Sequence, residues 1–173
     1  QDARLTGAAC EHMRLFVSGS APLLPSAFEQ FQAMTGHTIL ERYGMSETGM
    51  LCSNPCRAAE GERISGSVGP ALPGVQVRIV NDEGQEAAVG EIGELTVRTP
   101  TLMQGYFNDP SQTAASFDNG WFLTGDLCWR DADDYLFFFT RKKDIIRRRG
   151  ENISGAEIDN VIGSHPDVLE CAA

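Results

Sequence analysis

The chain has 173 residues, with 24 acidic against 14 basic side chains and a formal net charge of -10, a balance that argues against broad contact with a phosphate backbone and leaves no nucleic-acid partner expected. No apolar run approaches the roughly 18 residues of a membrane helix, and the N-terminus lacks the basic-then-apolar order of a signal peptide, so no transmembrane segment is expected. Five cysteines, at 10, 52, 56, 128 and 171, are odd in number and scattered, which fits a reduced, cytoplasmic setting.

Met13 to Val17 is a short apolar run that delivers the small-residue loop Ser18-Gly19-Ser20-Ala21-Pro22. It reads as a buried strand followed either by a ligand-approachable loop or by a plain strand-to-helix connection. Pro25 to Thr35 follows as an amphipathic helix, with Pro25 in the first turn, Phe28, Phe31 and Met34 as its core face, and Gly36 as its stop. His37 then leads into a strand over Thr38 to Tyr43.

The stretch Glu41-Arg42-Tyr43-Gly44-Met45-Ser46-Glu47-Thr48-Gly49-Met50 crowds a ring, hydroxyls, carboxylates and two glycines into one expected turn. Tyr43 offers a flat face to a base, Ser46 and Thr48 are donors to phosphate oxygens, and Glu47 is a hard ligand for a cation such as Mg2+. An ordinary strand-to-loop corner would carry the same residue types. Cys52 and Cys56 have no His or second cysteine pair nearby, which argues against zinc.

Between Asn54 and Pro73 the chain is rich in Gly, Pro, Ser and Arg and reads as a loop into a second subdomain. There the period changes: Val75 to Val80 alternates as a strand, Asn81-Asp82-Glu83-Gly84 turns, and Gly93 to Arg98 returns. Asp109 caps a short helix to Phe117 with Pro110 at its first position. Trp121 to Leu123, Leu127 to Arg130 and Tyr135 to Phe139 read as further short strands of a mostly antiparallel β subdomain. Thr124-Gly125-Asp126 forms a corner between two of them, where Asp126 can accept from both hydroxyls of a ribose or serve as a turn residue alone.

Six of the nine residues from Arg141 to Arg149 are basic. The interruption Asp144-Ile145-Ile146 reads as a strand, with a tight turn at Gly150 and a helix from Gly155 to Ser164 whose apolar face is Ile158, Val161 and Ile162. A solvated charge run is the alternative. The expected division is 1–60, 61–140 and 141–173.

Taken in order, Val17-Ser18-Gly19-Ser20-Ala21-Pro22, Tyr43-Gly44-Met45-Ser46-Glu47-Thr48, Gly93-Glu94-Leu95 with Gly105-Tyr106, Thr124-Gly125-Asp126, and Arg141-Lys142-Lys143-Asp144 through Arg149-Gly150-Glu151-Asn152-Ile153 resemble the adenylate-forming acyl-CoA synthetases. The resemblance covers nearly the whole chain. It implies an α/β fold in which residues 1–60 belong to the α/β layer of a large N-terminal domain, 61–140 to a small β-barrel-like subdomain, and 141–173 to the hinge and start of a small C-terminal domain. It further implies an ATP-dependent acid–thiol ligase using Mg2+ and CoA. Gly19, Ser20 and Ala21 would line the adenine and acyl pockets, Tyr43 would stack on adenine, and Ser46, where the family usually has Thr, would bind phosphate. Glu47 would hold Mg2+, Asp126 and Arg141 the ribose hydroxyls. Lys143 would be the hinge and Gly150 would line the pantetheine tunnel.

The departures carry weight too. The Ser/Thr/Gly-rich phosphate loop is absent, no lysine follows Lys143, and Thr99 and Thr140 stand where Gly is usual. The resemblance thus implies an excerpt, inactive or weak in adenylation by itself. The run from Gly36 to Pro55 is similar to malonyl-CoA synthetases, whereas Arg148 to Ser154 is similar to carnitine- and medium-chain acyl-CoA ligases. A small carboxylic acid, leaning towards malonate or another small dicarboxylate, is the expected substrate. A carrier-protein-loading adenylation domain and a non-catalytic nucleotide-binding module are the alternatives.

Overall fold

A computed structural model describes residues 4–148, 151–163, 165, 167–169 and 171. After a short helix α1 (Gly7–Cys10), whose Ala9 amide donates to the Thr6 hydroxyl, strand β1 (Phe16–Ser18) lies parallel to β2 (Ile39–Met45). Helix α2 (Pro25–Thr35) connects them, started by Pro25 and ended by Gly36 at φ 74°, whose amide donates to the Gln32 carbonyl. Phe28 is buried, and Phe31 meets Phe16 edge-on at 4.8 Å between ring centroids.

β2 then folds back on β3 (Gly49–Ser53) as an antiparallel hairpin. The motif expected to be a turn after a strand is therefore itself largely strand. Gly44 does not let the chain leave β2. It is needed because a Cβ there would overlap the backbone of Gly49 and Met50, and the positive φ of the turn sits at Gly49 instead (φ 70°).

The second sheet runs β4 (Gln76–Val80), β5 (Gly93–Arg98), β7 (Trp121–Arg130), with β6 (Phe117–Asp118) and β8 (Leu136–Arg141) sharing the other edge of β7. Helix α3 (Pro110–Ala115) precedes β6, its start capped by Asp109 accepting from the Gln112 amide. Two short strands expected on either side of Thr124-Gly125-Asp126 are one strand of ten residues. The tripeptide is a bulge: Glu94 faces Leu127 and Thr96 faces Leu123, so Leu95 alone stands opposite three residues of β7. The positive φ of Gly125, 71°, lets the extra residues loop out without ending the ladder.

Residues 67–72 run between the sheets and hydrogen-bond to both. The Leu72 amide donates to Leu51 of β3, while the Val68 amide and the Ser67 hydroxyl donate to Leu136 of β8. A Cβ on Gly69 (φ 83°) would overlap the backbone of Ser53 and Asn54. One buried cluster results, drawing Leu51 and Cys52 from the hairpin, Val68 from the connector, and Ile79, Leu95, Val97, Phe122, Cys128 and Leu136 from the second sheet. Each large apolar side chain taken fully out of water there contributes about 1.5–3 kcal/mol.

Beyond β8 the backbone forms the hairpin β9 (Ile146–Arg148) and β10 (Glu151–Ile153), then α4 (Gly155–Gly163). The turn expected at Gly150 lies outside the described residues. Of the apolar face expected on α4, Val161 and Ile162 are exposed.

Candidate functional site

A cavity of about 620 Å³ opens between the β1 loop, the end of β2, and β7–β8, and is closed on the far side by Asp144, Ile146, Gly155 and Asp159. Ser20 and Ala21 enter from the loop, Tyr43 from β2, Asp126 from the bulge and Arg141 from the end of β8. Gly19 does not line the cavity; a Cβ there would sit in ordinary van der Waals contact with Arg42. Phe138 braces the Tyr43 ring at 6.4 Å between centroids.

The Tyr43 hydroxyl donates to Asp126 Oδ2 at 2.5 Å, and Arg141 Nε lies 3.7 Å from Asp126 Oδ1. The Asp126 carboxylate is 6 % exposed and the Arg141 side chain 61 %. Burial holds the Asp126 carboxyl above its ordinary value, opposed by the Tyr43 hydrogen bond and the Arg141 charge. Burial and the Asp126 charge also push the Tyr43 phenol up, so it stays protonated and remains a donor. Register explains the pairing, since Asp126 and Arg141 are direct cross-strand partners.

Two residues that sequence patterns leave without a role also line this cavity: Glu41 and Arg42. Glu41 is 4 % exposed; its Oε1 accepts from the Leu23 amide, and its Oε2 is buried with no partner among the described residues. Burial raises its carboxyl above the ordinary value. The signal was available: a carboxylate directly after Ile39-Leu40 breaks an apolar strand at a position that sheet packing buries. Arg42 is exposed and makes no ion pair among the described residues.

On the other side of Asp126 a second cavity, of about 600 Å³, is lined by Glu47, Glu94, Tyr106, Lys142 and Lys143, while Met45, Asp126 and Arg141 line both. The Glu47 carbonyl accepts from the Met103 amide, and its Oε1 accepts from the Tyr106 hydroxyl at 3.2 Å. Ser46 is exposed on the hairpin turn and lines neither cavity. Gly150 lies outside the described residues.

Among the described residues, Glu47 keeps one carboxylate oxygen free of protein partners, and no cluster of three or more metal-ligating side chains occurs. That set suits Mg2+, which takes one or two carboxylates and completes its shell with phosphate and water. No helix among the described residues is long and apolar enough to cross a membrane.

The family model described as AMP-binding enzyme matches residues 2–107. The chain is 38% identical over 187 residues to the mitochondrial malonate–CoA ligase ACSF3 of Bos taurus, covering 95% of this chain and 31% of that protein. Among solved structures it superposes on ATP-bound MatB from Rhodopseudomonas palustris with a TM-score of 0.92 and 44% identity, over 99% of this chain and 34% of that one. On a malonyl-CoA ligase ternary product complex with methylmalonyl-CoA and AMP the TM-score is 0.72 at 43% identity, over 96% and 35%. The chain spans about a third of the length of the curated relatives it matches.

Proposed function

The chain belongs to the AMP-binding enzyme family, and on that footing we propose that the protein activates a carboxylic acid with ATP and passes it to CoA. A carboxylate oxygen of the acid attacks the α-phosphorus of ATP, and pyrophosphate leaves as the P–O bond to the β-phosphate breaks. The CoA thiol, losing its proton, then attacks the acyl carbon, and AMP departs.

The observation that carries this reading is the single cavity that gathers Ser20, Ala21, Tyr43, Asp126 and Arg141 from four separate motifs. Tyr43 offers its ring to adenine, and the unpartnered Glu41 Oε2 accepts from an exocyclic amine. Asp126 accepts from one ribose hydroxyl while Arg141 donates to another. An Asp126 carboxylate has lone pairs beyond the one that Tyr43 uses. Ser20 and Ala21 let substrate approach the backbone, and Gly19 in the same loop lies beside Arg42. Ser46, exposed at the hairpin turn, donates to phosphate oxygens.

Glu47 would hold Mg2+, whose charge offsets that of the phosphates when bound. Tyr106 fixes the Glu47 rotamer, and fixed ligands and ribose contacts keep the acid and the α-phosphate in line. Lys143 serves as the hinge for the segment that follows. The higher score on the ATP-bound relative supports reading the present arrangement as the adenylating one.

For the acid we propose a small dicarboxylate, malonate above all. Arg42 supports this: it is an exposed guanidinium at the wall of the cavity, with no ion pair among the described residues, and a second carboxylate needs a cation of this kind. ATP–pyrophosphate exchange on the full-length gene product, with malonate, methylmalonate, acetate, octanoate and carnitine beside a Glu47→Ala control, tests the reading. Exchange with malonate that vanishes in the control is expected. Exchange with none of the acids would overturn it.

A further inference from the structure

We propose that Glu94 is a positioning residue for the ribose-reading pair, holding the Thr124-Gly125-Asp126 bulge and tying it to the hinge through Lys142. The proposal rests on the ribose role given above to Asp126 and Arg141.

A bulge removes ladder partners from the strand that carries it, so its amides need others. Here each has one. The Thr124 hydroxyl donates to the Leu95 carbonyl at 2.7 Å and accepts from the Asp126 amide at 3.1 Å. The Gly125 amide, displaced from Leu95 by the bulge, donates to Glu94 Oε1 at 3.3 Å. The other Glu94 oxygen accepts from Lys142 Nζ at 2.7 Å, and the Lys142 amide donates to the Gly125 carbonyl at 2.8 Å. Glu94 therefore closes a ring: carboxylate to Gly125 amide, Gly125 carbonyl to Lys142 amide, Lys142 ammonium back to the carboxylate.

Asp126 and Arg141 each adjoin a member of that ring, Asp126 after Gly125 and Arg141 before Lys142. Lys143, the proposed hinge, is the next residue along. The Glu94 side chain is 15 % exposed and Lys142 57 %, so the hydrogen bond to Gly125 is shielded while the ion pair is partly screened by water. Without the Glu94 acceptor, Gly125 at φ 71° is free to turn its peptide, and Asp126 turns with it.

The readout is ribose recognition. In the full-length gene product, the preference for ATP over 2′-deoxy-ATP and 3′-deoxy-ATP is measured as a ratio of kcat/KM in pyrophosphate exchange, alongside thermal unfolding. Asp126→Asn is the reference and is expected to lower the ratio about tenfold for at least one analogue, the worth of a charged hydrogen bond. Glu94→Ala is expected to lower the same ratio by a comparable factor. Glu94→Gln keeps an acceptor for the Gly125 amide and is expected to retain most of it, which a purely structural role of Glu94 would not predict.

Lys142→Glu, at an exposed position, sets a like charge against Glu94 and is expected to lower the ratio too, so a poorly folding Glu94→Ala does not shelter the proposal. A wild-type ratio in Glu94→Ala or in Lys142→Glu, with the ratio lost in Asp126→Asn, overturns the role of Glu94. A wild-type ratio in Asp126→Asn overturns the ribose reading itself, and the role of Glu94 falls with it.

Discussion

The Tyr43 hydroxyl donates to Asp126 Oδ2 at 2.5 Å across 83 residues of chain, so the first sheet and the second meet at a shared hydrogen bond inside the cavity. Tyr43→Phe keeps the ring and removes only that donor. It leaves a buried carboxylate oxygen short of a partner, and a loss of about 1–3 kcal/mol in urea denaturation is expected. The Asp126 carboxyl should also rise further, because the Tyr43 hydrogen bond is the largest influence holding it down. Unchanged stability together with an unchanged Asp126 titration would contradict this.

Tyr106 reaches Glu47 through its hydroxyl, and a group that orients a metal ligand typically affects metal affinity without touching the metal. Tyr106→Phe is expected to raise the Mg2+ concentration for half-maximal pyrophosphate exchange about tenfold. Glu47→Ala should abolish exchange. Titration of Mg2+ in both variants checks this, and an unmoved midpoint in Tyr106→Phe would refute the coupling.

Arg42 is predicted to distinguish acids by their second charge. Arg42→Gln should raise KM for malonate by about tenfold or more and leave KM for octanoate unchanged. A parallel rise for both acids would show that Arg42 shapes the cavity rather than reading the substrate.

Stability should fall as pH rises towards neutrality. Burial raises the Glu41 and Asp126 carboxyls, so the folded state holds these protons more tightly than the unfolded chain. The stability they contribute is complete below the ordinary carboxylate range and is lost as pH climbs above that range through the raised values. Asp109 and Glu91 are shifted down by hydrogen bonds. Their contribution is present above the ordinary range and is lost only as pH falls through their lowered values, a separate and more acidic window. Glu41→Gln should flatten the dependence above the ordinary carboxylate range, measured as urea midpoints. An equally steep slope in that variant would count against Glu41.

Gly69 is the tightest crossing between the sheets, at φ 83° with the Ser53 backbone where a Cβ would stand. Gly69→Ala is expected to cost about 3 kcal/mol or more, or to prevent folding. Gly84→Ala, also at positive φ but with open space around it, should cost only about 1 kcal/mol. Chemical denaturation of the pair separates strain alone from strain with overlap.

Local physical chemistry made much of this protein legible from its residues. Pro25 and Gly36 bound α2, Asp109 caps α3, and Gly93 to Arg98 forms β5, because each signal acts within a few residues and needs no distant partner. The motif residues Tyr43, Asp126 and Arg141 were candidates on residue type and order alone. Two local readings failed where a neighbour in space decides the matter. The turn expected after Tyr43 is largely strand, and Gly44 is required by the close return of β3. Gly125 seemed the corner between two strands, yet it is the bulge inside one, because β5 and β8 continue the ladder on either side of it.

The sequence by itself determined the elements, the order of the motifs and the family, since these depend on short-range propensity and on residue identity. Only the tertiary structure decided which side chains share a cavity. The buried Glu41, the exposed Arg42, the Tyr106–Glu47 bond and the Glu94 ring through Gly125 and Lys142 all follow from cross-strand register and from the connector at 67–72. A one-residue change in register would turn these side chains to the other face of the sheet, and no local pattern encodes which face meets which.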